Sequence, residues 1–260
     1  MKINTVFLLA LALFLWGCPA EEDPTPALTC QLNTMQVSGN AFPFFFKYTF
    51  NSQNQLTQIS SADTSGTSIY LSYDAQGRLV REKEDIISYV NEYNHQNQLV
   101  KQTRTFAFAP GRAEVFYYLH DYNNAGELTE SRFYSADAPT YVLKHYKYSY
   151  EGSLITKVEK KDYSVNGPTE DITYTYDGKK QPLSFLPMIL LYGHLGDDHP
   201  AIGRAGGNVT SCTIMDRATG TKSQLSYTVN YTYTPEDYPK EAVITSGNGT
   251  KKFTYEYSCR

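Results

Sequence analysis

His194-Leu195-Gly196-Asp197-Asp198-His199 places two imidazoles and two carboxylates within six residues, the stretch of this chain whose residue types best suit a metal ion. Mixed nitrogen and oxygen donors of this kind suit divalent cations. Gly196 and the following Pro200 equally make the stretch a solvated turn, so His194, Asp197, Asp198 and His199 are ligand candidates only, and no metal or other cofactor is assigned. Elsewhere the carboxylates fall on faces read as outward, and no two stand out as a general acid and base. No Gly-rich phosphate loop, nucleophile elbow or Cys–His signature occurs. The sequence therefore predicts no enzyme. Three glycosylation sequons, at Asn208, Asn230 and Asn248, read as strand and turn composition.

Sulfur carries the remaining chemistry, in Cys18, Cys30, Cys212 and Cys259. Lys2 followed by an apolar run from Val6 to Trp16 has the layout of an export signal, and it is too short to span a membrane. Leu15-Trp16-Gly17-Cys18 resembles the lipobox of bacterial lipoproteins, which implies cleavage after residue 17 and acylation of Cys18. Residues 18–27, with Glu21-Glu22-Asp23 between prolines, cannot bury apolar surface and read as an extended tether. That acidic run is similar to the surface-export signal of Bacteroidota-type lipoproteins. Residues 28–260 then form a single domain.

Without Lys2 the chain holds 22 basic and 27 acidic residues, a balance of −5 that disfavours nucleic acid as a partner. Export to an oxidising compartment permits a disulfide among Cys30, Cys212 and Cys259. A barrel closing its first strand on its last would bring Cys30 to Cys259, and Cys212 is an equally legal partner of either.

The elements that would position these groups are written in a repeated phrase. Phe50-Asn51-Ser52-Gln53-Asn54-Gln55-Leu56 recurs as Tyr73-Asp74-Ala75-Gln76-Gly77-Arg78-Leu79, Tyr93-Asn94-His95-Gln96-Asn97-Gln98-Leu99 and Tyr122-Asn123-Asn124-Ala125-Gly126-Glu127-Leu128. The pattern is aromatic, Asx, two free positions, Gly or Asn, one free position, Leu. Asx bonds the backbone ahead of it, and Gly or Asn tolerates the left-handed conformation that closes a type I turn. The aromatic thus ends one strand and the leucine opens its antiparallel neighbour. Looser copies stand at Tyr150–Leu154 and Tyr176–Gly178, and Tyr233–Pro239 reads as a longer, proline-stiffened turn.

Anchor aromatics at 50, 73, 93, 122, 150, 176, 233 and 257 are spaced for two strands each, except for one double step before Tyr233. Alternation as in Tyr146, Tyr148 and Tyr150, or Phe253, Tyr255 and Tyr257, gives each strand one aromatic face and one wet face. Runs such as Arg81-Glu82-Lys83-Glu84-Asp85 would put charge into lipid on a transmembrane barrel, so the aromatic face is the inner one. The expected fold is all-β: a long antiparallel meander of hairpins, coiled into a soluble, porin-like barrel or a closed sandwich-like wrap. Residues 183–196 replace the missing copy and read as a short helical or irregular plug.

The phrase "YDAQGRLVRE" resembles the tyrosine-aspartate repeat of Rhs-type proteins. Lipobox, repeated turns, "GNVTS" at 207–211 and the closing "YTYTPEDYPKEAVIT" with "FTYEYSC" are together similar to a Bacteroidota lipoprotein family of unknown function with a porin-like fold. That resemblance implies a lipid-anchored outer-membrane protein, facing the cell surface or the periplasm, with no established activity. The functional expectation is a non-enzymatic surface lipoprotein with a structural or adhesive role. The alternative is a module that binds a glycan, a peptide or another surface protein through aromatics, with a hydrolase as the third reading. Phe108 and Tyr134, expected on the variable connections Phe106–Arg112 and Tyr134–Tyr141, are the candidate ligand contacts.

Overall fold

The computed structural model describes residues 29–39, 44–61, 68–163, 167, 169–182 and 207–259. The strands are β1 (Cys30–Ser38), β2 (Phe44–Phe50), β3 (Leu56–Ser61), β4 (Ser68–Tyr73), β5 (Leu79–Glu84), β6 (Ile87–Tyr93), β7 (Leu99–Ala109) and β8 (Arg112–Tyr122). They continue as β9 (Leu128–Ser135), β10 (Ala138–Glu151), β11 (Leu154–Asp162), β12 (Thr169–Tyr176), β13 (Val209–Asp216), β14 (Tyr227–Tyr233), β15 (Pro239–Ser246) and β16 (Gly249–Cys259). Each pairs antiparallel with its neighbours in sequence, and β1 pairs with β16, so the sheet closes into a barrel without a free edge. The expected plug, residues 183–196, lies outside the described residues.

All copies of the repeated phrase gather at one end, here the motif pole. Asn51, Asp74, Asn94 and Asn123 each accept two backbone N–H bonds on Oδ1, from the second and fourth residues ahead, at 2.9–3.0 Å. Their closing residues Asn54, Gly77, Asn97 and Gly126 have φ of 61°, 78°, 62° and 81°, the left-handed values the turn requires. The position before the leucine is not free, as the sequence suggested. Asn51, Asn94 and Asn123 donate Nδ2 to Gln55, Gln98 and Glu127, whereas Asp74 accepts from Arg78 Nε at 2.7 Å. An amide is matched with an acceptor and a carboxylate with a cation.

The turn after Tyr233 is a correction. It has the same length as the others: Thr234 N–H donates to Tyr238 O at 2.8 Å, Asp237 N–H donates to Thr234 O, and Asp237 takes φ 66°. Thr234 stands in for Asx, and Pro235 occupies a position where φ near −65° is already required.

Each motif-pole hairpin carries a one-residue register shift beside its anchor aromatic, at Tyr73/Leu79, Tyr93/Leu99, Tyr122/Leu128, Tyr150/Ile155, Tyr176/Val209 and Tyr233/Pro239 as at Phe50/Leu56. A bulge repeated at one height bends every strand the same way, which coils the meander into closure. It also disturbs the carbonyl of the strand-opening residue. The anchor tyrosines repair this: Tyr73, Tyr93, Tyr122, Tyr150, Tyr176 and Tyr257 donate their hydroxyls to the carbonyls of Leu56, Leu79, Leu99, Leu128, Ile155 and Pro239 at 2.6–3.0 Å. Tyr231 does the same for Val209 at 3.1 Å. Each hairpin is thereby tied to the one before it. Phe50 follows β1, which no such turn opens, and carries no hydroxyl.

Inward side chains from β1 to β16, among them Leu32, Tyr48, Leu56, Tyr146, Val158, Ile172, Tyr174 and Phe253, form one buried cluster, so the aromatic face is the inner one. The outer wall carries ion pairs between neighbouring strands, with Arg217 placed just past the end of β13. Arg217 Nη2 bonds Glu159 at 2.6 Å and Asp171 at 2.5 Å, Lys157 meets Asp171 at 3.2 Å, and Lys147 and His145 flank Glu130. The Arg217 guanidinium holds the Glu159 and Asp171 carboxyls below the usual carboxylate range. At the motif pole a disulfide joins Cys30 to Cys259 across the β1–β16 seam, with Cα atoms 4.0 Å apart, while Cys212 is buried outside it.

Candidate functional site

The far pole, opposite the motif turns, differs from them in kind. Tight connections at Asp85-Ile86, Pro110-Gly111, Ala136-Asp137 and Gly247-Asn248 turn the strands there. The region expected to be a loop at Phe106–Arg112 is almost all strand, as is Tyr134–Tyr141, because β7 and β10 reach 11 and 14 residues. Of the eight exposed large apolar side chains among the described residues, six lie at this pole, Phe44, Phe45, Ile86, Phe108, Tyr141 and Leu225, while Tyr70 and Val90 stand mid-strand in β4 and β6. Phe108 is 50% exposed and stands at the lip. Tyr134 is a correction: it lies in β9, is 8% exposed, and stacks on Tyr117 with centroids 5.1 Å apart, so it presents no free ring.

Behind that lip the inner wall of β5–β9 turns polar. Asn91 in β6 and Gln102 in β7 face each other across the ladder, and Gln102 Nε2 donates to Asn91 Oδ1 at 3.0 Å. Asn91 Nδ2 in turn donates to Leu79 O at 2.9 Å. His120 Nδ1 and Ser131 Oγ are 2.8 Å apart. Ser131 is 0% exposed, so this pair offers no nucleophile to a substrate. Glu82 is opposite buried Leu71 on one side and Tyr89 on the other, at 1% exposure. Among the described residues its Oε2 and the Oε1 of equally buried Gln102 meet no hydrogen-bond donor. Burial pushes the Glu82 carboxyl up to about 7. Burial, and then the Glu82 charge, pushes the Tyr73 hydroxyl up to about 12.

One pleat nearer the far pole, Arg104 faces the same way as Gln102. Its guanidinium carbon lies 4.2 Å from the Phe106 centroid and 5.5 Å from that of Tyr89. Phe106 stacks on Phe108 at 6.2 Å and meets Phe116 edge-on at 6.1 Å, and Phe116 stacks on Phe133 at 5.4 Å. On β6–β9 the mouth is therefore an aromatic wall around the Arg104 cation.

The sequence placed the carboxylates outside and gave none of these residues a role; Glu82 turns inward instead. The cause is the bulge. Leu79 and Leu99 point in, and simple alternation then sends Arg81, Lys101 and Thr103 inward. The extra residue beside each leucine moves Glu82, Gln102 and Arg104 to the inner face instead. The legible signal was the strand-opening leucine itself, which marks where alternation restarts.

Cys18, His194, Asp197, Asp198 and His199 lie outside the described residues. Among the described residues, Cys30, Glu236 and Cys259 bring metal-ligand types together, but both sulfurs are spent in the disulfide and one carboxylate remains.

No protein-family model matches the chain, and no curated protein matches it. In fold it is similar to a porin-like protein from Bacteroides uniformis, with 13% identity over 87% of this chain and 96% of that one, at a TM-score of 0.57. It is also similar to a porin-like protein from Bacteroides vulgatus, with 8% identity over 88% of this chain and 99% of that one, at a TM-score of 0.60. At these identities the likeness is one of fold: an all-β, porin-like closed barrel.

Proposed function

We propose that the chain is a non-enzymatic, lipid-anchored outer-membrane protein that stands on its motif pole and offers its far pole to a binding partner. The observation that carries this reading is the polarity of the barrel. Cys30 and Cys259 lie at the motif pole, while Phe44, Phe45, Ile86 and Phe108 are exposed at the opposite one. A tether from Cys18 to Cys30 spans twelve residues, at most about 40 Å, so the motif pole stays close to the lipid and the aromatic rim points away. The charged outer wall suits a barrel that sits on a membrane rather than in it. An apolar rim on a rigid scaffold suits a glycan or another surface protein, and the buried Ser131–His120 pair gives no support to a hydrolase.

Cys18→Ser tests the anchor. The variant is expected in the soluble fraction after carbonate washing, whereas continued sedimentation with membranes rejects lipid attachment at that residue. Protease treatment of whole cells tests orientation: cleavage of the native protein supports surface display, and protection until the outer membrane is opened places it on the periplasmic side. A glycan and surface-protein array with the Cys18→Ser chain then tests binding. Signal lost in Phe108→Ala supports the rim, and silence across the array leaves a purely structural role.

A further inference from the structure

We propose that the far mouth of the barrel binds a ligand carrying one carboxylate on a flat, apolar-faced body, with Arg104 taking the carboxylate and Phe106, Phe108 and Phe116 packing on the flat face. The inference deepens the reading of the far pole as the binding pole and rests on it.

Register fixes the placement. Arg104 is opposite Tyr89 on β6 and Phe116 on β8, two residues beyond buried Gln102 with no shift between them, so its side chain enters the lumen. Phe106 covers one part of the guanidinium at 4.2 Å and Tyr89 another at 5.5 Å. Rings shed water from a cation's faces but satisfy none of its N–H groups, which lie in the plane of the fork. Among the described residues Arg104 has no carboxylate partner, and its Nε is buried without an acceptor. Arg132, whose Nε is likewise buried without an acceptor, still has a carboxylate partner in Asp121, and Arg217 has two, Glu159 and Asp171. A half-desolvated cation lacking an anion is an incomplete arrangement, and a planar carboxylate completes it through two parallel N–H···O bonds.

The surroundings narrow the ligand further. Gln102, one pleat deeper, and Glu82, in the same row as Arg104 with Tyr89 between them, are each 1% exposed and hold oxygens without donors among the described residues, so the unsatisfied polar lining extends beyond Arg104. Glu114 opposite Phe106 at the rim, and Glu82 when ionised, repel a dianion such as phosphate more strongly than a single negative charge. Phe106 and Phe108 lie nearly parallel, with 4° between their planes, and run out to the half-exposed lip. They suit a flat body, whether an aromatic ring or the apolar face of a sugar acid.

The test titrates the full chain with benzoate and with glucuronate, using benzyl alcohol and glucose as neutral counterparts, and follows the Arg104 Nε–H resonance in the native protein. Saturable movement with at least one carboxylate is expected, with none from its neutral counterpart, and Arg104→Gln should weaken binding about tenfold or more. A response to benzoate alone assigns aromatic acids, and a response to glucuronate alone assigns acidic sugars. If Arg104→Gln does not fold, Phe108→Ala at the exposed lip should weaken the same titration while the native resonance still reports the contact. Silence with both carboxylates overturns the proposal, as does equal binding of a neutral counterpart or undiminished binding by Arg104→Gln. Membrane anchoring and protease access are separate measurements, so this inference can fail while the polarity of the barrel stands.

Discussion

The Tyr93 hydroxyl donates to the carbonyl of Leu79 at 2.8 Å, fourteen residues back and one hairpin earlier. The same relation links six further tyrosines to the first residue of an earlier strand, or in β11 to the second, Ile155, so the motif pole is laced from hairpin to hairpin. Loss of one hydroxyl leaves a half-buried carbonyl at a bulge without its donor. Tyr122→Phe and Tyr150→Phe should each lower unfolding free energy by about 0.5–1.5 kcal/mol in urea melts. Phe50→Tyr, at the position outside the lacing, should gain nothing. A gain there equal to the losses elsewhere would show that the hydroxyl acts through solvation alone.

The closing residues of the turns answer to backbone conformation. Gly77 and Gly126 sit at φ 78° and 81°, and a side chain at Gly77 would also approach the Gln55 amide at 3.2 Å. Gly77→Val and Gly126→Val should each cost roughly 1–2 kcal/mol or more, since a β-branched residue is strained at positive φ. Gln76→Val, one position earlier and exposed, should cost far less. Equal losses at 76 and 77 in a thermal melt would place the strain elsewhere in the turn.

Glu82 sets a pH dependence with a definite sign. Its folded-state carboxyl is raised from 4.5 to about 7 by burial, so the native state binds the proton more tightly than the unfolded chain. Below about pH 4.5 both states are protonated and the residue costs nothing. The penalty grows as pH rises towards 7 and is complete above it, at about 3 kcal/mol. Glu82→Gln should therefore be more stable than the native protein at pH 8 and indistinguishable from it near pH 4. The difference between the two stability curves isolates this group from Glu159 and Asp171, whose lowered values act in the acid range. A flat difference across pH 4–8 would mean that Glu82 stays charged and solvated.

How far the fold could be read from the chain depends on the scale of each signal. Asx followed three positions later by Gly or Asn is a local rule, settled within a few residues, and it located the reversals and the all-β class. Closure was legible for a related reason: a meander of this length leaves unpaired edges unless its ends meet. The inner wall was not legible, because each bulge shifts the parity of a whole strand by one residue. Reading Tyr93 and Leu99 as inward is correct, yet it says nothing of Gln102 until the extra residue at Val100 is known. Tyr134 shows the same difficulty from outside. It belongs to the wet face by register, yet it lies between Tyr117, on which it stacks, and Val142 of the neighbouring strands. Thr234 in place of Asx hid a regular turn behind an unfamiliar letter.

The seam between β1 and β16 joins the two ends of the described chain, and the Cys30–Cys259 disulfide ties it at the motif pole across a separation of 229 residues. Of all strand pairs in the barrel this one must form between the most distant segments, and chain entropy opposes it most strongly in the unfolded state. In the loop-entropy model a crosslink of this span stabilises by roughly 5 kcal/mol, the upper part of the measured range. Cys259→Ser should therefore lower stability by about 2–5 kcal/mol, and by the same amount as reduction of the native protein. The strand register itself should survive, because Leu32, Met35 and Val37 still pair with Tyr257, Tyr255 and Phe253 in a buried layer. Far-ultraviolet spectra of the variant should thus remain native-like at low temperature while the melting curve moves down. Loss of the β spectrum on reduction would show that the crosslink, rather than the paired strands, holds the barrel closed.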